Sequence, residues 1–188
     1  SGFTFNLNGT SDYGASVNAT VSTGADGKAT FDNIPRGTYT LTETGSGDST
    51  GGVGSWWSHS PQQVTIKAGE TTNVTYNNRI KSGNVSIAKS VTDKSKKYSD
   101  GLSGFKFRLS GTATAGYGVT KEGTTDVNGN LTFTNIPVGT YTVTELATPD
   151  GNGAIPSWWD VQADTNVTVT DGNTSSVTRS NTYETGDV

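Results

Sequence analysis

The chain has 188 residues, 30% of them hydrophobic, with 25 glycines, no cysteine and a formal charge of −4. That length suits two domains better than one small sandwich, and the lack of cysteine excludes both disulfides and thiolate metal sites. The acidic balance, with no basic stripe interleaved with aromatics, argues against a nucleic-acid partner, and no apolar run reaches the roughly 20 residues of a membrane span or resembles a signal peptide.

In chain order, the first pattern is Phe3-Thr4-Phe5-Asn6-Leu7, whose alternation predicts a half-buried strand. Asp26-Gly27 follows between strand-like runs and predicts a hairpin turn. Then comes Phe31-Asp32-Asn33-Ile34-Pro35-Arg36-Gly37-Thr38-Tyr39-Thr40-Leu41-Thr42-Glu43, a Pro-bounded turn leading into a strand in which Glu43 shares the face of Tyr39 and Leu41. The paired Trp56-Trp57 predicts one ring facing the core and the other facing solvent. Asn78 stands between Tyr76 and Ile80 on a further alternating run.

The strand Val85-Ser86-Ile87-Ala88-Lys89-Ser90-Val91 puts Lys89 on the face of Val85, Ile87 and Val91. The basic cluster Lys94-Ser95-Lys96-Lys97, between Asp93 and Asp100, reads as a solvated loop. Beyond it the earlier patterns return. Phe105-Lys106-Phe107-Arg108-Leu109 repeats the first strand, Asn128-Gly129 the hairpin signal, and Phe133-Thr134-Asn135-Ile136-Pro137-Val138-Gly139-Thr140-Tyr141-Thr142-Val143-Thr144-Glu145 the long motif, all at an offset of 102 residues. Ser157-Trp158-Trp159 keeps that offset, and after a one-residue insertion Asn181 matches Asn78. Asp126-Val127-Asn128-Gly129-Asn130 lacks the downstream Glu of a calcium loop and reads as a plain turn. Glu145 shares parity with Tyr141 and Val143, and Asn181 with Val177 and Tyr183; Arg179 between them predicts that the last strand is only partly covered.

A period this long is that of a whole domain rather than of a solenoid unit. The expected organisation is all-β, with two tandem sandwich domains at residues 1–82 and 83–188. Ser1 aligns with Ser103, so residues 83–102 have no counterpart and the first domain is expected to lack its first strand.

A buried Lys, Glu and Asn on inward faces admit two readings. One is an ordinary ion pair with a hydrogen-bonded amide. The other is chemistry: burial disfavours the charged forms of Lys and Glu, a neutral amine is a nucleophile, and a carboxylic acid can polarise the Asn carboxamide. Attack by the amine then expels ammonia, with the fold holding the reactants together.

The strand ending in Lys89, the Asn135-to-Glu145 motif followed by Pro149-Asp150-Gly151, and the terminal strand with Asn181 together resemble the Cna-protein B-type domains of Gram-positive surface proteins and pilins. The resemblance covers all of the second domain and the first except its missing strand. It implies an immunoglobulin-like, prealbumin-like β-sandwich and an autocatalytic isopeptide bond, with Lys89 as amine, Glu145 as catalytic acid and Asn181 as acceptor. In the first domain Glu43 and Asn78 match but no Lys does. Lys28 is expected in a hairpin turn, and Lys67 and Lys81 in other strands.

It further implies a stalk or spacer of an adhesin or pilus-like protein, extracellular and attached to the cell wall. Its partners would be neighbouring domains of the same surface protein, and no cofactor, metal or turnover chemistry beyond one self-cross-link is expected. Two alternatives stay open. Exposed Trp residues or residues 45–55 could bind a glycan or host protein, or the first domain could accept a Lys-bearing strand in a covalent assembly. The single His59 has no partner set for metal or triad chemistry.

Overall fold

The computed structural model describes residues 1–48, 52–93 and 101–183. Among them every regular element is a β-strand, and the chain divides into two compact units, residues 1–80 and 81–188. Among the described residues no helix is long and apolar enough to cross a membrane. The basic cluster at 94–97 and part of the 45–55 segment lie outside the described residues.

The second unit holds β7 (Ser82–Asp93), β8 (Lys106–Ala113), β9 (Gly118–Thr124), β10 (Asn130–Pro137), β11 (Gly139–Ala147), β12 (Trp159–Val161), β13 (Thr165–Val169) and β14 (Thr174–Tyr183). They form two four-stranded sheets, in the orders β10-β7-β14-β12 and β13-β11-β8-β9. Alternate residues of each strand point inward, as the pleat requires, and Val85, Ile87, Phe107, Leu109, Tyr141 and Val143 from both sheets form one core. Most neighbours are antiparallel, but β7 and β14 run parallel, with Ile87 beside Val177 and Lys89 beside Arg179.

The first unit holds β1 (Thr4–Ser11), β2 (Ser16–Ser22), β3 (Gly37–Gly45), β4 (Trp57–Ser58), β5 (Gln62–Ile66) and β6 (Arg79–Ile80). The sheet β2-β1-β3-β5 reproduces β9-β8-β11-β13 of the second unit, and the short β4-β6 pair reproduces β12-β14. The other sheet differs. Residues 28–35 and 71–78, the counterparts of β10 and most of β14, carry no strand. In the second unit both of those strands hydrogen-bond to β7, so the segment without a counterpart is the central strand of a sheet. Removing it leaves each flanking segment with no ladder to join.

The Pro-x-Gly-Thr-Tyr motif has the same local structure in both copies. Asn33 and Asn135 each adopt a left-handed φ of 55°, which Asn tolerates better than most residues. The Tyr39 hydroxyl donates to the Pro35 carbonyl, and Tyr141 to Pro137, both at 2.7 Å. Gly139 is needed for close approach, because a Cβ there would lie 2.8 Å from the Thr112 carbonyl oxygen and 2.9 Å from Ala113 Cα.

Two expectations are corrected. Asn128-Gly129 forms a tight turn, with the Asp126 carboxylate accepting from the Asn128 and Asn130 amides, but β9 and β10 do not pair with each other. They belong to different sheets, so the turn carries the chain across the sandwich. Lys67 and Lys81 are not in strands: Lys67 follows the end of β5, and Lys81 falls between β6 and β7.

Candidate functional site

Strand parity places the site. In β7 the inward set is Val85, Ile87 and Lys89, in β11 it is Tyr141, Val143 and Glu145, and in β14 it is Val177, Arg179 and Asn181. Lys89, Glu145 and Asn181 are all buried, and Glu145 faces the other two across the sandwich. Its Oε2 accepts from Lys89 Nζ at 3.2 Å and its Oε1 from Asn181 Nδ2 at 2.5 Å. One carboxyl group therefore holds both the amine and the carboxamide, each on its own oxygen.

The surroundings bear on the charge of the lysine. Lys89 Nζ lies 4.6 Å from the centre of the Phe105 ring, and Phe105 in turn meets Trp159 edge-on at 6.0 Å. Burial pushes the Lys89 ammonium from 10.5 down to about 8, against the upward pull of Glu145, and the Arg179 guanidinium pushes in the same direction as burial. Asn181 Oδ1 is buried with no hydrogen-bond partner. Its carbonyl is thus not engaged by the protein, while its nitrogen, the leaving atom in any acyl transfer, is bonded to the acid.

Arg179 contradicts the expectation of a partly covered last strand, being only 1% exposed. Its guanidinium donates to the carbonyls of Gln162 and Ala163, both at 2.5 Å, and to Thr165 Oγ1 at 2.7 Å. The charge is buried because the β12–β13 connection turns its carbonyls toward it. Sequence parity put Arg179 on the inward face, but nothing local foretold those acceptors.

A second constellation was not foreseen. In the second unit Trp158 and Trp159 both donate their indole N–H to Asp150, at 3.1 and 2.9 Å. In the first, Trp56 and Trp57 donate to Asp48 at 3.3 and 2.9 Å. Burial works to raise the Asp150 carboxyl, but hydrogen bonds from Thr148 and the two indoles outweigh it and hold the group below its usual range. Asp48 is lowered by Ser46 first and then by the indoles. The signal was present in the sequence, since Asp48 and Asp150 share the 102-residue offset of the Trp pairs. The rings behave as expected in the second unit, where Trp159 is 5% and Trp158 45% exposed. In the first unit both are intermediate.

The first unit brings together the other predicted pair. Asn78 Nδ2 donates to Glu43 Oε1 at 2.7 Å, in the same sense as Asn181 to Glu145. Here Glu43 Oε2 and Asn78 Oδ1 are both buried without a partner, at the positions where the second unit has Lys89 and the free amide oxygen.

Two β units, each holding a carboxyl–carboxamide pair, define a tandem all-β protein of prealbumin-like architecture. The chain belongs to the SpaA prealbumin-like fold domain family, whose model matches residues 1–80 and again 84–182. Among solved structures it is similar to the Bacillus anthracis TIE protein, at 21% identity and a TM-score of 0.56, over 97% of this chain and 31% of that one. It is also similar to the major pilin protein (T3.2) of Streptococcus pyogenes, at 14% identity and a TM-score of 0.50, over 98% of this chain and 90% of that one. At these identities the likeness is one of fold, and the chain spans less than a third of the TIE chain. No curated protein matches it.

Proposed function

We propose that the chain is a structural stalk segment of a bacterial cell-surface adhesin or pilus-like protein, stabilised by an amide bond that its second unit forms between Lys89 and Asn181. The observation that carries the proposal is the shared Glu145 carboxyl, with Lys89 on one oxygen and Asn181 on the other.

The chemistry follows from that placement. A proton passes from the Lys89 ammonium to Glu145 along their hydrogen bond, a transfer eased by the lowered proton affinity of the buried amine. The neutral Nζ attacks Cγ of Asn181, the Nζ–Cγ bond forms, and the Cγ–Nδ2 bond breaks. Glu145, bonded to Nδ2, delivers protons to the leaving nitrogen, which departs as ammonium while the carboxylate is regenerated. One proton stays on the new amide nitrogen. The reactants are fixed by three strands, so proximity supplies most of the rate, and the reaction runs once per chain.

A surface role fits the family and the pilin-type fold of the structural neighbours. It also fits a cysteine-free chain, which has no disulfides to hold a sandwich closed. Tandem mass spectrometry of a digest made after denaturation tests the bond. A branched peptide joining the Lys89 and Asn181 segments is expected, and two separate linear peptides would sink the proposal.

A further inference from the structure

Among the described residues of the second unit, the buried charged side chains are two cations, Lys89 and Arg179, and one carboxyl, Glu145. The chemistry proposed above uses only Lys89 and Glu145. Arg179 is a fixed charge, since a guanidinium does not give up its proton in a protein. The fold itself does not demand a cation there: Tyr76 stands at the matching place of the first unit and donates its hydroxyl to the Leu41 carbonyl at 2.6 Å. A buried guanidinium whose hydrogen bonds reach no carboxylate is costly to keep.

The parallel register of β7 and β14 sets Arg179 beside Lys89, with Asn181 next along the same inward face. Adjacent strands lie about 4.8 Å apart, so the two cations share one stretch of core. The β12–β13 connection takes up the guanidinium: the Gln162 and Ala163 carbonyls and the Thr165 hydroxyl accept from its Nη atoms, and Nε is buried without a partner. Both Glu145 oxygens therefore stay with Lys89 and Asn181. An arginine free to turn toward that carboxyl would match it with two parallel hydrogen bonds and displace both reactants. Glu145 of β11 and Arg179 of β14 are the charged groups that act on Lys89. The other titratable groups facing this core are phenols, Tyr141 of β11, bonded to the Pro137 carbonyl, and Tyr183 of β14, which meets Trp159 edge-on at 5.0 Å.

With one carboxyl for two cations, the site holds a net positive charge whichever way the proton sits between Lys89 and Glu145. When Nζ of Lys89 bonds to Cγ of Asn181 and the Cγ–Nδ2 bond breaks, the nitrogen leaves as ammonium and takes that excess charge with it. The Arg179 guanidinium and the Glu145 carboxylate remain as a balanced pair. We propose that Arg179 is a positioning residue for this reaction, a locked cation that destabilises the ammonium of Lys89 and is relieved of it when the cross-link forms. This role rests on the Lys89–Asn181 bond proposed above. The proton affinity of Lys89 agrees with it, being lowered by burial first and by Arg179 in the same direction, against the pull of Glu145.

The test uses the whole chain, isolated from inclusion bodies into denaturant so that it has not yet folded. It is diluted into buffers from neutral to alkaline pH, and denaturing quenches read by mass spectrometry give the rate at which one ammonia is lost. In the unaltered chain that rate should be level near neutrality and fall where the Lys89–Glu145 pair loses its shared proton. In Arg179→Met, and in Arg179→Tyr, which carries the first unit's residue at this place, the level rate should drop and the falling limb should move up by about one pH unit. A purely structural loss would slow the reaction without moving the limb. A limb at the same pH in either variant would overturn the inference, and so would failure of both variants to fold, which would make Arg179 a structural cation only. An unaltered chain that folds and keeps its full mass sinks the Lys89–Asn181 bond and this role with it, whereas a chain that cross-links with an unmoved limb in the variants sinks this role alone.

Discussion

Lys89 is the residue on which the second unit's energetics turn, because it is buried beside an aromatic ring with one carboxyl oxygen for company. Breaking a buried pair by removing one partner leaves an uncompensated group and costs about 3–5 kcal/mol, so Lys89→Ala should destabilise the unit by at least that much in urea titrations. In a chain unable to cross-link, Asn181→Ala, the depressed Lys89 affinity has a defined sign. Between about 8 and 10.5 the unfolded chain holds a proton that the folded chain has released, so stability should rise with pH across that window and be flat just below it. A falling slope there would contradict the assignment of burial as the dominant cause. At the Trp pairs, Asp150→Ala strips two indole N–H groups of their acceptor and should cost about 1–3 kcal/mol in thermal melts. What was legible at this scale was parity: the alternation of β7, β11 and β14 put Lys89, Glu145 and Asn181 inward without any long-range information. Arg179 was misjudged because its acceptors, the carbonyls of Gln162 and Ala163, belong to a connection whose conformation no periodicity encodes.

Among the strands, β7 decides how complete a unit is. It is the central strand joining β10 to β14, and residues 1–80 contain no counterpart of it. The internal repeat made that absence readable, since residues 83–102 have no match, but not its consequence. That both flanking segments would forgo strand structure follows from ladder hydrogen bonding, which needs a partner on at least one side. The hairpin expected at Asn128-Gly129 failed for a related reason: the turn is locally correct, yet β9 and β10 find their partners in different sheets. One pair of substitutions separates the two environments. Val177→Asp buries an unpaired charge and should cost more than about 3 kcal/mol, whereas Val74→Asp, at the matching position of the first unit, should cost about 1 kcal/mol or less. Calorimetric melts of the two variants would show it, and equal losses would contradict the difference in burial between Val177 and Val74.

For the whole molecule, the parallel pairing of β7 and β14 sets the mechanical behaviour. The second unit is entered through β7 and left through β14, so tension on its ends shears that ladder directly. An amide between Lys89 and Asn181 would route the load through a covalent bond and shield everything between them. Single-molecule pulling should therefore find no extension from the residues between 89 and 181 in the unaltered chain and full unfolding of the unit in Lys89→Ala; extension in both would remove the mechanical role. Limited proteolysis should follow the same order. The most direct test of the bond itself is the intact mass of the purified chain under denaturing conditions. A mass lower than the sequence requires by one ammonia, restored to the full calculated value in Asn181→Ala, is the predicted result, and an unaltered chain of full mass would contradict it.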